Sequence, residues 1–157
     1  MRYLLLDRIE EVAPDRARGW KTVAMSEDFL EWHFPERPIL PGSLVLEAFA
    51  QLAGWHEALT SGFSRWFLVE RVASARYFGF SGPGDRVDLA LEVVPTGDPA
   101  RRAYRGEASV GGERRAAVEL EGTVVALDDL DDRARVERLS QALRGVRMTP
   151  ASRGGRP

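Results

Sequence analysis

The sequence contains no cysteine among its 157 residues. Without thiols, the chain has no disulfide framework, no thiolate nucleophile and no zinc site of the cysteine type. Histidine is scarce as well, with two residues at positions 33 and 56, so a transition-metal site has few ligands to build from. These absences exclude thiol chemistry, disfavour metal chemistry and permit a reducing compartment.

Long hydrophobic runs are also missing. The three leucines at positions 4–6 stand between charged residues, and such a run is too short for a signal-peptide core or a membrane span. We therefore expect a cytoplasmic protein with no membrane insertion. The 22 basic residues are scattered among 24 acidic ones, which disfavours nucleic-acid binding. The length and the 44% apolar content predict one globular domain.

Strands are predicted on both sides of a central helical segment. Near the N-terminus, Tyr3–Ile9 and Ala17–Met25 are predicted strands, because Pro14 and Asp15 supply turn chemistry between them. Farther along, alternation or a high content of aromatic and β-branched residues predicts four more strands. The last two flank a Gly-Gly pair at 111–112 that suits a tight hairpin. These four strands are Trp66–Phe78, Val87–Val93, Ala103–Val110 and Arg114–Leu127.

The central segment begins after a loop. Three prolines disfavour helix between Ser26 and Gly42, so this stretch is predicted to be a shaped loop. The sequence SLVLEAFAQLAGWHEAL then predicts a helix from about Leu44 to Leu59, with Ser43 as its N-cap. Its first three turns are apolar on nearly every side, so we expect the helix to be buried all round.

The order of these elements predicts an α+β fold in which an antiparallel sheet wraps around one long helix. Residues 128–145 resume a helical pattern, with acids early and arginines late in agreement with the helix dipole. The tail from Met148 is predicted to be disordered. We thus predict a main domain over residues 1–127, followed by a C-terminal helix and a disordered tail over residues 128–157.

Two ionisable side chains are candidates for chemistry. Glu47 is the only charged residue between Leu44 and Trp55, and burying an unpaired carboxylate is costly. It is therefore tipped toward solvent, paired with an arginine, or a desolvated acid able to donate a proton. His33 is either a packed or solvated loop residue or a base that the loop brings near Glu47. His56 is expected to be structural.

The run from residue 33 to residue 51, HFPERPILPGSLVLEAFAQ, resembles the signature of the 3-hydroxyacyl-acyl-carrier-protein dehydratases of fatty acid synthesis. The similarity rests on four short motifs, and weaker similarity extends over roughly residues 2–127. The motifs are HFP at the start, Arg37-Pro38, Pro41-Gly42, and the LEA-x-AQ pattern of the helix.

This resemblance implies a hot-dog fold and a homodimer, or three dimers in a hexamer. It also implies that His33 takes the α-proton and Glu47 protonates the departing hydroxyl, with the two residues facing each other from different subunits. The amide of Gly42 would polarise the thioester carbonyl as an oxyanion-hole donor. Phe34 and Gln51 are predicted to bind substrate beside it. A glutamate at position 47 resembles the branch of the family that only dehydrates.

The implied reaction is dehydration of (3R)-3-hydroxyacyl-acyl carrier protein to the trans-2-enoyl form, in fatty acid or related lipid and polyketide synthesis. A base, an acid and carbonyl polarisation suffice for this elimination, so no metal or organic cofactor is expected. The substrate carries its own phosphopantetheine arm. Acyl carrier protein is acidic, and Arg37, Arg71 and Arg76 are candidates for recruiting it.

Two other functions remain open on the sequence. A thioesterase uses the same fold and would release free thiol from acyl thioesters. A catalytically silent hot-dog subunit would bind an acyl chain or a partner, and His33→Ala would then leave turnover unchanged. A serine hydrolase is disfavoured because Ser43 lacks the G-x-S-x-G elbow.

Overall fold

The computed structural model describes residues 4–34 and 36–145, with the side chain of Trp32 excepted. In this part of the chain six strands surround one long helix, and two shorter helices and a 3-10 turn complete the fold. The elements are β1 (Arg8–Ala13), β2 (Arg16–Thr22), α1 (Phe29–Trp32), α2 (Gly42–Thr60), β3 (Arg65–Tyr77), β4 (Arg86–Val94), β5 (Arg101–Val110), β6 (Glu113–Ala126), the 3-10 turn Leu127–Asp129, and α3 (Arg133–Leu143).

The six strands form one antiparallel sheet in the order β1-β2-β4-β5-β6-β3. Strands β1 and β3 therefore lie at the two edges. The β5–β6 hairpin closes through Gly111 and Gly112 at φ angles of 59° and 85°, as the sequence predicts. Only glycine adopts such angles readily at both positions of a two-residue turn. The four predicted strands after the helix are confirmed to within two residues at each end.

The core lies between α2 and the inner face of the sheet. Phe49 and Leu52 of α2 are fully buried, and they pack in one cluster with sheet residues such as Leu91 and Leu120. Inward positions of β4 and β6 alternate with more exposed ones, so each strand contributes every second side chain to the core. The predicted α+β architecture, with a sheet around one long helix, is confirmed.

A polar network is enclosed beside the C-terminal half of α2. The Glu57 carboxylate is buried, and its Oε1 accepts from Arg102 Nε at 2.6 Å and from the Tyr104 hydroxyl at 3.2 Å. His56 places Nδ1 2.9 Å from that hydroxyl and donates from Nε2 to the Ala13 carbonyl oxygen at 2.9 Å. Buried polar groups need such partners. The prediction that His56 is structural agrees with these contacts.

Two expectations for α2 are wrong. The helix is not buried all round, because Ser43 and Glu47 are exposed. One sheet covers only part of the helix circumference, and an apolar pattern cannot tell which side the sheet covers. Ser43 is not the N-cap either: α2 begins at Gly42, and the N-cap position is held by Pro41, which has no side-chain acceptor.

The first strand and the loop also differ from expectation. The predicted Tyr3–Ile9 strand is displaced toward the C-terminus, since β1 spans Arg8–Ala13, and Tyr3 lies outside the described residues. The loop before α2 contains the short helix α1, which the sequence did not predict. Four residues form too short a helix to be stable without tertiary packing, so propensity gives little signal.

The C-terminal helix is shorter than predicted. A 3-10 turn occupies Leu127–Asp129, and α3 starts only at Arg133, after Asp132, whose carboxylate accepts from the Arg135 amide at 2.9 Å. The expected dipole pattern is wrong, because the acids precede the helix and arginines occupy its first turn. The boundary at residue 127 stays a prediction, and the tail from Met148 lies outside the described residues.

Helix α3 docks on the body of the fold. Val136 and Leu143 are buried and belong to the same apolar cluster as α2. Arg133 also donates to the carbonyl oxygen of Gly62, just beyond α2. None of the described helices is long and apolar enough to cross a membrane.

Replacing Tyr104 by phenylalanine should lower the free energy of unfolding by about 1–3 kcal/mol, because Glu57 and His56 each lose a buried partner. Urea unfolding followed by circular dichroism measures the change. Tyr77→Phe is the matched control, since its hydroxyl bond is exposed, and it should change the free energy less. Equal effects of the two substitutions would contradict the role given to the network.

The pH dependence of the free energy of unfolding provides a second measurement on Tyr104→Phe. Burial raises the pKa of Tyr104 above its ordinary value. Deprotonation of this tyrosine therefore favours the unfolded chain, and the stability it provides falls as the pH rises above about 10. Phenylalanine does not ionise. The difference in the free energy of unfolding between wild type and Tyr104→Phe should therefore become smaller as the pH rises above about 10.

Candidate active site

His33 follows α1 and has one fixed ring nitrogen. Its Nδ1 lies 3.1 Å from the carbonyl oxygen of Ile39. A carbonyl oxygen can only accept, so Nδ1 carries the proton and Nε2 is the basic nitrogen of the neutral ring. Among the described residues, Nε2 has no hydrogen-bond partner. The geometry therefore presents a base that is ready to take a proton.

Backbone contacts hold the loop that carries His33 and Ile39. The Leu40 amide donates to the Ser81 carbonyl oxygen at 2.7 Å, which ties the loop to the segment before β4. Phe34 has a φ angle of +53°, in the left-handed region that side chains other than glycine seldom adopt. Its carbonyl oxygen accepts from the Arg37 amide at 2.8 Å. Because the loop turns back here, His33 comes to lie beside the start of α2.

A cavity of about 450 Å³ opens where the loop, the start of α2 and the ends of three strands meet. Its walls are mainly apolar, with His33 at one side and Arg115 at another. Volumes of this order are typical of small-molecule sites. The lining residues are His33, Phe34, Ile39, Leu40, Gly42, Val45, Tyr77, Phe78, Gly79, Phe80, Ser81, Val87, Arg115 and Ala116.

Gly42 begins α2 at the cavity wall. Within the described part of the chain, its amide has no acceptor, as expected for the first residue of a helix that lacks a side-chain cap. The Tyr77 hydroxyl donates to the Gly42 carbonyl oxygen at 2.8 Å, and a Cβ at position 42 would lie 2.9 Å from the Tyr77 ring. Partial burial raises the pKa of Tyr77. Glycine is thus required for the close approach of the tyrosine.

Glu47 and Gln51 lie on the exposed side of α2 and contact each other. Gln51 Nε2 donates to Glu47 Oε1 at 3.0 Å, and Gln51 Oε1 accepts from the Leu5 amide at 3.0 Å. The glutamine is thereby oriented by the N-terminal segment, and it holds the carboxylate in one place. Neither residue is among those that line the cavity.

The structure thus divides the five predicted site residues. His33, Phe34 and Gly42 line one cavity, whereas Glu47 and Gln51 form a separate pair about one and a half to two and a half turns along α2. Sequence reasoning did not identify Tyr77 or Arg115 as cavity residues. Tyr77 ends an aromatic-rich strand and Arg115 belongs to a polar hairpin, and neither pattern distinguishes a cavity position from a surface one.

The architecture has counterparts among solved structures. A hot-dog-like protein from Thermanaerovibrio acidaminovorans aligns with a TM-score of 0.60 at 20% identity, over 79% of this chain and 89% of that one. The dehydratase heterocomplex ApeI:P from Xenorhabdus doucetiae aligns with a TM-score of 0.61 at 18% identity, over 87% and 88% of the two chains. These likenesses confirm the predicted hot-dog fold.

Comparison of sequences identifies the family, which a similar fold alone does not. The chain matches the FabA-like domain over residues 1–121. It is 36% identical over 124 residues to the 3-hydroxyacyl-acyl-carrier-protein dehydratase FabZ of Clostridium acetobutylicum, covering 78% of this chain and 87% of the relative. The FabZ of Syntrophotalea carbinolica is 38% identical over 75% of this chain and 82% of its own length. The chain therefore belongs to the FabA-like family of 3-hydroxyacyl-acyl-carrier-protein dehydratases.

The hydrogen bond to Ile39 predicts the tautomer of neutral His33. In a ¹⁵N-labelled protein at alkaline pH, the long-range ¹H–¹⁵N spectrum should show a protonated Nδ1 and an unprotonated Nε2 for this residue. With two histidines in the chain, His33→Ala assigns the signals, and His56 serves as the internal control. A protonated Nε2 on His33 would contradict the geometry.

Proposed function

We propose that the protein dehydrates a 3-hydroxyacyl thioester carried by acyl carrier protein, giving the trans-2-enoyl thioester. The observation that carries the proposal is the His33 ring, fixed through Nδ1 and lining an apolar cavity beside the uncapped start of α2. The FabZ relatives, whose names state this activity, support the same reaction.

In the first half of the reaction, His33 Nε2 takes the proton from the carbon next to the thioester carbonyl. Negative charge then develops on the carbonyl oxygen. The amide of Gly42, at the positive end of the α2 dipole, is placed to donate a hydrogen bond to that oxygen. Apolar walls strengthen this interaction, because they exclude water from around the charge.

In the second half, Glu47 acts as the acid. Glu47 gives a proton to the departing hydroxyl, which leaves as water as the double bond forms. The proton held by His33 then restores the acid, so the cycle balances without an oxidant or a cofactor. Gln51 is a positioning residue in this scheme, because it holds Glu47 Oε1 by a hydrogen bond.

A second copy of the chain supplies the missing half of each site. Glu47 is exposed and lies outside the cavity of its own chain, so the acid has to reach a histidine elsewhere. Strand β3 is an edge of the sheet and exposes large apolar side chains, including Leu68, Val69 and Val72. An open apolar edge of this kind is a template for pairing with a second strand. We infer a homodimer formed through β3, with a hexamer of three dimers as the alternative assembly.

Acyl carrier protein is the proposed partner, and the cytoplasm is the proposed compartment. Arg37 lies with its guanidinium 5.9 Å from the ring centre of Phe80, a cavity residue, which supports it as a contact for an acidic carrier. Arg71 is less suited, because Glu121 pairs with it at 3.1 Å. The thioester arm of the carrier would enter the cavity from this side.

The first test follows enoyl-thioester absorbance with a 3-hydroxyacyl carrier-protein substrate. His33→Ala and Glu47→Gln should each lower kcat by about 100-fold or more, the usual contribution of a positioned base or acid. If the two inactive variants are unfolded together and refolded as a mixture, mixed dimers regain one intact site. Activity should then return to about a quarter of the wild-type value, given random pairing in a twofold dimer.

The outcomes of this test separate the alternatives. Failure of the mixture to recover activity would contradict a site shared between subunits. Release of free thiol in place of enoyl absorbance would identify a thioesterase. Turnover that is absent in wild type and unchanged by His33→Ala would identify a silent binding subunit.

The dimer has its own test. Val72→Glu places a charge in the middle of the exposed β3 edge and should shift the mass in solution from twice the 17.5 kDa of one chain to that of a monomer. Light scattering after size-exclusion chromatography gives the mass. Met25→Glu, at an exposed apolar residue outside β3, is the matched control and should leave the dimer intact. A Val72→Glu protein of unchanged mass would place the interface elsewhere.

A further inference from the structure

We propose that Arg115 is a specificity-determining residue that binds an anionic oxygen group of the ligand in the active-site cavity. The inference rests on the proposed function for one point, that the ligand of this cavity is an acyl thioester. The rest of the inference depends on where the chain places the Arg115 guanidinium and on which acceptors surround it.

A β-bulge turns Arg115 into the cavity. Neighbouring β5 residues Ala108 and Ser109 pair with Ala116 and Arg114 of β6, so Arg115 is an extra residue between two pairs. In a regular strand, consecutive side chains point to opposite faces. Here Arg115 and Ala116 both line the cavity, because a bulge re-aims the side chain of the inserted residue.

The described residues supply acceptors for only part of the Arg115 guanidinium. Nη2 lies 3.1 Å from the carboxylate of Glu113, whose side chain is 75% exposed, and such exposed pairs are weak. Nε is buried, with no acceptor among the described residues and no surface open to a ligand. Nη1 also has no acceptor among those residues. A buried N–H without an acceptor keeps an uncompensated desolvation penalty. The arginine thus holds donor capacity that the free protein does not use.

The backbone is shaped around this side chain. A Cβ at Gly79 would lie 2.9 Å from Arg115 Nη1, so any side chain at position 79 would displace the guanidinium. The Arg115 carbonyl oxygen also accepts from the Phe78 amide at 2.8 Å, which ties the bulge to the end of β3. The backbone bond thus fixes the bulge beside the cavity, and Gly79 leaves room there for the guanidinium.

The chemistry of the arginine indicates the class of ligand. A plain alkyl chain would cover the guanidinium and leave its open donors without acceptors, next to apolar residues such as Val87 and Ala116. A carboxylate or phosphate oxygen would accept charge-assisted hydrogen bonds from the planar fork. In a thioester ligand this oxygen belongs either to the phosphate of the phosphopantetheine arm or to a carboxylate at the far end of the acyl chain.

Calorimetric titration with four ligands distinguishes the two sources. S-pentanoyl-pantetheine and S-glutaryl-pantetheine differ only in a terminal carboxylate, and the 4′-phosphorylated form of each differs only in the phosphate. In one of these pairs, wild type should bind the ligand with the additional anionic group about tenfold or more tightly than the ligand without it, as expected for a hydrogen bond to a charged group. Arg115→Met should abolish that preference.

A preference within the carboxylate pair assigns Arg115 to the acyl chain, and one within the phosphate pair assigns it to the arm. Arg114→Met is the matched control, because Arg114 pairs with Glu107 and stacks on Phe78 and does not line the cavity. It should keep the preference. If Arg115→Met does not fold, Arg115→Gln makes the same comparison with a neutral polar side chain.

Two results would overturn the inference: no preference in wild type for either anion, or a preference that survives both Arg115 substitutions. Since calorimetry reports binding and not turnover, the two proposals fail separately. A protein that dehydrates its substrate but shows no anion preference would contradict only the role of Arg115. A protein that has the preference but no dehydratase activity would contradict only the proposed reaction.

Discussion

The packing of α2 against one face of a six-stranded sheet is the constraint on which the rest of the structure depends. The helix is apolar around most of its circumference, and a single sheet covers only the side that carries Phe49 and Leu52. The side that carries Ser43 and Glu47 stays open in the single chain. Strand β3 exposes apolar side chains at an open sheet edge, which is unfavourable in water, and the proposed dimer would cover them.

The extent of this packing explains which parts of the fold could be predicted from the sequence. Strands β4, β5 and β6 alternate strictly, because one face meets α2 and the other meets water, and alternation is readable in the sequence. The sequence left the exposure of Glu47 undecided, since an apolar pattern does not show which side of a helix the sheet covers. The helix α1 and the Arg115 bulge depend on contacts distant in sequence, which local propensity does not encode.

The candidate site was predicted in the same uneven way. The motif around His33 identified the family and the candidate base, and the structure adds what a motif cannot give, namely the carbonyl oxygen of Ile39 that fixes the proton on Nδ1 of the neutral ring. Glu47 was singled out as a lone charge in an apolar helix, and the sequence left it as a residue tipped toward solvent, a partner of an arginine or a desolvated acid. The structure shows an exposed carboxylate, so one chain alone does not explain why an acid belongs there. The proposed homodimer, in which Glu47 would face the histidine of the other subunit, would supply that reason.

The two ends of α2 differ in whether their polar groups have hydrogen-bond partners within the chain. At the C-terminal half, the buried Glu57 finds Arg102 and Tyr104 within the same chain, as stability requires. At the N-terminal end, Pro41 and Gly42 leave the first amides without a side-chain cap. A serine or aspartate at the N-cap would stabilise the helix by roughly 1 kcal/mol, but its oxygen would occupy the amides that the proposed reaction uses to bind the thioester carbonyl. The uncapped start of the helix is therefore consistent with a site that keeps its hydrogen-bond donors for a ligand.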